Sequence, residues 1–378
     1  MGNTNNLVVN QFQVSKHLIY LNHAAVAPWP KCTADAVKSF ADECLHEGAK
    51  HYPRWAETEQ ALRAQLAQFI HAPSPDDIAL VKNTSEALSM VAHGFPWQAG
   101  DNVVISDQEF PSNRIAWESL VPQGVSVTQV SLESADPEQV LIDACDAKTR
   151  LISISSVEYA SGFRVDLKRL GALCKQKNIA LCVDAIQGLG VFDHDVQNMN
   201  IDFLMADAHK WLLAPEGIAV FYCSEKWRDQ LQLHEFGWHM MQDHYDFNQR
   251  DWQPAQSARR FECGSPNMLG IYALKASLSL IQDVGIDNIE RQVLQNSELL
   301  FRLIRESKNL VLLSSMEKGR YAGIVVIKHK QLDTETLHQY LMKNNVICAM
   351  RGGGIRFSPH FYIGEHALRT AVELADNL

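Results

Sequence analysis

The middle of the chain alternates short apolar runs with segments of helical period. "LISISSVEYASG" is β-rich and ends at Gly162. The following "VDLKRLGALCKQKN" places Leu167, Leu170 and Leu173 on one helical face, with Asp166 as the N-cap. "IALCVDAIQ", "IDFLMADAHKW" and "GIAVFYC" read as three more strands. Continuous apolar strands separated by helices predict an α/β fold whose mostly parallel sheet is covered on both faces.

Upstream, "IALVKNTSEALSMVAHGF" reads as strand, turn and helix, with Asn83, Thr84 and Ser85 at the helix start. Downstream, "GSPNMLGIYALKASLSLI" offers Ser265 as a cap, Pro266 at the first helical position, and Ile271, Leu274 and Leu278 as an apolar stripe. From about Asn288 the texture changes. A long helix (Asn288 to Lys308) precedes a strand "GIVVIK", a helix "TETLHQYLMKNN", and strands "VICAM" and "GIRFS". These predict a large domain over residues 16–263, then a linking helix and a smaller C-terminal α/β domain over residues 264–378. Gly237–Arg260 has little periodicity and predicts a long surface loop near a site or interface.

Composition narrows the choices. The chain has 378 residues and a formal net charge of -10, spread without a basic run, which argues against a nucleic-acid partner. No apolar run approaches the roughly 20 residues that span a bilayer, so no membrane partner is expected. The start lacks a secretory pattern, and Asn6 argues against myristoylation of Gly2. Eight cysteines without paired spacing predict reduced thiols and a cytoplasmic protein. His234, His239 and His244 recur every five residues, a spacing that does not share one helix face, so no metal site is expected.

Candidate chemistry collects where strands end, since ligands of open α/β sheets sit beyond the carboxyl ends of strands. Thr84 and Ser85 follow "IALVK"; Asp184 and Gln187 follow "IALCV"; His209 and Lys210 follow "IDFLMA". Lys210 stands in an almost wholly apolar stretch, where burial disfavours its ammonium form. Such an amine is a nucleophile for aldehydes. Pyridoxal phosphate is the aldehyde cofactor that uses one. Its phosphate suits hydroxyls at a helix N-terminus (Thr84, Ser85), its ring nitrogen a buried carboxylate (Asp184), and its ring face an aromatic such as Phe110. Read alone, Lys210 could equally be an edge lysine packed on Trp211, and Asp184 a turn residue.

In order, "YLNHAAVAP", "NTSEAL", "QEFPSN", "VEYASG", "VDAIQGLG", "DAHKWLLAPEG", "FECGSPN" and "RGGGIRFSPHFY" span nearly the whole chain. Together they resemble the fold-type I, class V aminotransferase family, in the branch with cysteine desulfurases, isopenicillin-N epimerase and kynureninase. The resemblance implies that Lys210 carries the cofactor, Asp184 pairs with its pyridine nitrogen and Gln187 with its phenolic oxygen. It implies His209, Thr84 and Ser85 as phosphate ligands, Phe110 as the stacking residue, and Ser265 as a residue reaching the neighbouring subunit's phosphate in a homodimer with shared sites. It implies Arg356 as the clamp on a small amino acid's carboxylate, with Asn22 and His23 at the substrate mouth, in an N-terminal segment over residues 1–30. Asp207 stands where the family has serine or threonine, a carboxylate beside a phosphate. Tyr159 is a contact of either cofactor or substrate, or a structural tyrosine.

Desulfurases carry a nucleophilic cysteine just before the carboxylate-binding arginine. Here that stretch, "RGGGIR", has none, and Cys348 lies in an apolar run. A persulfide-forming desulfurase is therefore not expected, and the resemblance implies an enzyme acting on a small amino acid, first of all an aminotransferase. The alternatives are a cysteine-independent C–S lyase, an amino-acid epimerase, or a non-catalytic cofactor-binding regulatory module.

Overall fold

The computed structural model describes residues 10–14, 17–248 and 250–378; Gly2 and Asn6 lie outside them. After a short strand β1 (Ile19–Tyr20), helices α1 (Lys31–Glu47) and α2 (Tyr52–Phe69) lead to the main sheet. Its elements in chain order are β2 (Ile78–Val81), α3 (Thr84–Gly94), β3 (Asn102–Ser106), α4 (Pro111–Glu118) and β4 (Ser126–Val130). Then come α5 (Pro137–Asp143), β5 (Thr149–Ser155), α6 (Leu167–Lys177), β6 (Ala180–Asp184), β7 (Phe203–Asp207) and β8 (Ala219–Cys223).

These strands form one seven-stranded sheet in the order β2-β8-β7-β6-β5-β3-β4. Pairing is parallel from β7 through β6, β5 and β3 to β4, while β8 runs antiparallel to both β7 and β2. The antiparallel strand has a local cause. Residues 208–218 join β7 to β8 without a helix, and a parallel return needs a crossover of a dozen or more residues, usually helical. That helix-free connection carries His209 and Lys210. Apolar clusters cover both faces of the sheet, as uninterrupted apolar strands require.

Two helix starts match the sequence pattern. Asp166 caps α6 by accepting from the Arg169 amide, and Asn83 caps α3 by accepting from Glu86. The third differs. The helix α7 begins after Ser224 as a single turn (Glu225–Arg228), and α8 spans Met268–Val284 with Asn267, not Ser265, as its cap. Asn267 wins because its side chain bonds at both ends, accepting from Gly270 and donating to the Gly217 carbonyl.

The helix α8 packs its apolar stripe (Ile271, Leu274, Leu278) into the main-sheet core. The next helix, α9 (Ile286–Glu306), passes from that core at Ile289 and Val293 to a second one at Leu299, Leu300 and Ile304. The second core lies under a four-stranded antiparallel sheet, β12-β13-β10-β9: β9 (Leu310–Leu312), β10 (Val325–His329), β12 (Ala349–Arg351) and β13 (Gly354–Phe357). Two more helices flank it, α10 (Thr334–Lys343) and α11 (Glu365–Asp376). "VICAM" is not one strand. Its first half, β11 (Val346–Ile347), pairs in parallel with β1 and stitches the N-terminal segment to this unit. Among the described residues no single helix is long and apolar enough to cross a membrane.

Candidate active site

The carboxyl ends of β6 and β7, the start of α3 and the β12–β13 hairpin enclose a cavity of about 310 Å³. Thr84, Ser85, Phe110, Asp184, Gln187, His209, Lys210 and Arg356 all line it. Ala24, Ala25 and Val26 close one side. A larger hollow of about 460 Å³ abuts it through Ser85, but neither Lys210, Asp184 nor any arginine faces that space.

Burial sets the electrostatics. It lowers Lys210 to about 8, partly offset by the attraction of Asp184 and reinforced by Arg356. It raises Asp184 to about 6, against a bond from the Ile186 amide and the pull of Lys210. His209 is lowered to about 4, by burial and then by Lys210, so its imidazole is neutral at pH 7. Its buried Nδ1 has no partner. Burial also lowers Arg356 to about 10, with Arg351 adding to the shift.

Gln187 is fixed at both ends: Nε2 donates to the Ala24 carbonyl at 3.0 Å, and Oε1 accepts from the Trp211 indole at 2.9 Å. Phe110 is 41% exposed. Its ring meets Tyr159 edge-on, with centroids 5.1 Å apart, and lies 5.8 Å from Lys210 Nζ. Ser85 Oγ donates to Ser112 Oγ at 2.8 Å. Asp207 answers the question the sequence raised. Its carboxylate accepts from the Thr84 amide at the first turn of α3, while its own amide donates to Thr84 Oγ1. Burial pushes it up to about 6.

Two expected site residues, His23 and Asn22, stand elsewhere, while Ser265 was expected at a neighbouring subunit's site. His23 is buried behind the cavity wall. Its Nδ1–H donates to the Ser358 carbonyl at 2.8 Å, and its Nε2 faces the Tyr362 hydroxyl at 2.6 Å. A carbonyl only accepts, so this assigns the proton to Nδ1. Asn22 bridges to Ser358, and the residues that reach the cavity come two to four positions later. Ser265 is exposed in a separate depression with Gly217 and Glu262. The 237–260 loop sends no described residue into the cavity; His239, His244 and Tyr245 face a hollow beside α2 instead. His239 sits with Glu59 and Glu262, but Arg63 already bonds both carboxylates. His234 is bonded to the His93 carbonyl.

The sequence reading passed over Arg351, Glu109 and Glu158. Glu109 accepts from Ser155 N and Oγ and from Asn113, beside the β5–β6 pair that ends in Asp184. Glu158 is fully buried with both carboxyl oxygens unpartnered. Burial pushes both upward, which keeps negative charge off the pair beside Asp184. Acidic residues inside "QEFPSN" and "VEYASG" were the available signal.

These residues fit pyridoxal phosphate: a desolvated amine, a buried carboxylate, a half-exposed aromatic, a helix N-terminus and an orphaned imidazole nitrogen share one cavity. Comparison with known proteins agrees. Residues 19–361 match the family model described as aminotransferase class-V. An uncharacterised aminotransferase, YcbU, of Bacillus subtilis is 30% identical over 89% of this chain and 88% of its own length. A probable cysteine desulfurase of Methanothermobacter thermautotrophicus is 27% identical over 91% and 90%. Among solved structures, an apo cysteine desulfurase from Thermococcus onnurineus superposes with a TM-score of 0.87 at 22% identity, over 98% of this chain and 97% of that one. The cystine C–S lyase C-DES gives 0.89 at 21%, over 96% and 98%. With the family model covering both sheets and every wall of the cavity, the chain belongs to the class-V aminotransferase family of pyridoxal-phosphate-dependent enzymes.

Proposed function

We propose that this enzyme is an amino-acid aminotransferase. The observation that carries the reading is Lys210, a buried amine lowered to about 8, sharing its cavity with Asp184 and Arg356 and with no cysteine among the described lining residues. Cys348, the thiol nearest the hairpin in sequence, is buried in the second core and pushed up to about 12 by burial. It is a poor nucleophile there.

Pyridoxal phosphate supplies an electron sink for charge that develops at the amino acid's Cα. The chain supplies the rest. Arg356 offers Nε and one Nη as a planar edge for the α-carboxylate, since its Nη1 donates to the Tyr159 carbonyl. Lys210, partly neutral near pH 7 to 8, takes a proton from Cα at Nζ and would deliver it to the cofactor carbon that bears the amino nitrogen rather than back to Cα. Asp184 is anionic above about pH 6 and holds a proton on a ring nitrogen placed against it. Phe110 and Ala24–Val26 narrow the opening to water. The reading includes a homodimer: Ser265 is exposed outside its own cavity, free to meet a second copy.

The test is a panel of amino acids given to the holoenzyme, with keto acid, ammonia and sulfide measured separately. Keto acid without ammonia is expected; ammonia or sulfide release identifies elimination and overturns it. Lys210→Ala is expected to lose the visible absorbance of the bound cofactor.

A further inference from the structure

We propose that Arg351 selects an α-amino acid whose side chain carries a second anionic group, a carboxylate or an acid of similar charge. This rests on the reading of the cavity as an amino-acid site. It goes beyond the single carboxylate clamp, and the hairpin geometry carries it.

The strands β12 and β13 are antiparallel, with Ala349 opposite Arg356 and Arg351 opposite Gly354. Side chains alternate along a strand, so Arg351 shares the face of Ala349 and therefore of Arg356. The two arginines are diagonal neighbours on one face of a hairpin. Both line the cavity. The turn between them is tight: Gly352 and Gly353 have φ of 62° and 79°, left-handed values that glycine accepts freely. A Cβ at Gly352 would stand 2.5 Å from the Ala160 carbonyl, and one at Gly354 would stand 2.1 Å from the Ile327 carbonyl. The hairpin tip is thus held against the Tyr159–Ala160 segment, and the position opposite Arg351 has no side chain that could neutralise it.

No ion pair to either arginine occurs among the described residues. The charged neighbours that lower Arg356 and Lys210 are like charges: Arg351 acts on Arg356, and both arginines act on Lys210. Two cations placed side by side without a carboxylate form a site that favours anions. One α-carboxylate does not need both. Arg356 already presents a two-pronged edge, and its buried Nε has no partner. Arg351 donates Nη1 to the adjacent Met350 carbonyl and is otherwise open at the exposed tip of the hairpin. A ligand held by its α-carboxylate at Arg356 and extending outward meets Arg351 next. Of the carboxylates that line the cavity, Asp184, Asp207 and Glu216, none forms an ion pair with either guanidinium among the described residues.

The test uses isosteric pairs, so that only charge differs. Binding of L-aspartate against L-asparagine, and of L-glutamate against L-glutamine, is measured by calorimetry on the holoenzyme of wild type, Arg351→Gln and Arg351→Lys. In wild type the acid of at least one pair is expected to bind about ten- to a hundredfold tighter than its amide, the size of one charge-assisted hydrogen-bonded contact. Arg351→Gln brings that ratio near one by weakening the acid far more than the amide, and Arg351→Lys keeps part of it. Equal affinity for acid and amide in wild type overturns the proposal. So does an Arg351→Gln variant that weakens both members equally. Acid preference without keto-acid formation would sink the aminotransferase reading alone, and turnover confined to neutral amino acids would sink this one alone.

Discussion

Thr84 and Asp207 exchange two hydrogen bonds, Thr84 N to Asp207 Oδ2 at 3.2 Å and Asp207 N to Thr84 Oγ1 at 3.0 Å. The pair locks the end of β7 to the first turn of α3. It also puts a carboxylate at the helix terminus that the fold otherwise offers to a phosphate. Asp207→Asn keeps an acceptor for Thr84 and removes the charge. The variant is expected to bind pyridoxal phosphate severalfold more tightly than wild type at pH 8, with the gap narrowing toward pH 5 as the wild-type carboxyl protonates. Equilibrium dialysis of the apoprotein against the cofactor checks this.

Asp184 and Asp207 are both raised by burial from an ordinary value of 3.8 to about 6. Between about pH 4 and 6 the folded chain therefore holds protons that the unfolded chain has released. Their contribution lowers stability as pH rises through that window and stays unfavourable above it. The buried histidines His23, His194 and His360 are lowered by burial and act in the opposite sense, losing stability as pH falls below 6.5. The difference between wild type and variant isolates the carboxyls. The change in stability from pH 7 to pH 4 is expected to be less favourable in the Asp184→Asn apoprotein than in wild type by roughly 1–3 kcal/mol, read from urea midpoints at both values.

Arg356→Lys retains a positive charge but loses the planar edge. A fall of about 10- to 100-fold in kcat/KM is expected, carried mainly by KM, for whichever amino acid proves to be the substrate. Steady-state kinetics settles the split. An unchanged KM would remove Arg356 from the carboxylate site.

Far from the cavity, Arg63 is 3% exposed and bonds Glu59 and Glu262, and Glu262 also accepts from the Leu80 amide. Removing the cation takes from two buried carboxylates the guanidinium that bonds both of them. Arg63→Ala is expected to destabilise the protein by about 3–5 kcal/mol, measured by urea unfolding of the apoprotein.

Sequence pattern located the residues that sit directly beyond strand ends. Lys210, Asp184 and Thr84 follow apolar runs whose depth burial guarantees, and motif order then joined them to Gln187, His209 and Arg356. What it missed depends on pairing between distant segments. Arg351 lies inside a quoted motif, yet only the Ala349–Arg356 register puts it on the same face as Arg356. His23 was assigned to the mouth by motif position, whereas its turn directs it to Ser358 and Tyr362. The reversal of β8 was not legible from its apolar composition, which suits either direction. The short connection before it was the clue.

That connection also determines what Lys210 is attached to. The carbonyl of His209 accepts from Ala27, and that of Trp211 accepts from the His360 ring, so the peptide entering the lysine and the one leaving Trp211 are tethered to opposite ends of the chain. The His360 bond links the C-terminal unit directly to the segment that carries the reactive amine. The backbone that carries the lysine is therefore braced from both the N-terminal segment and the C-terminal unit.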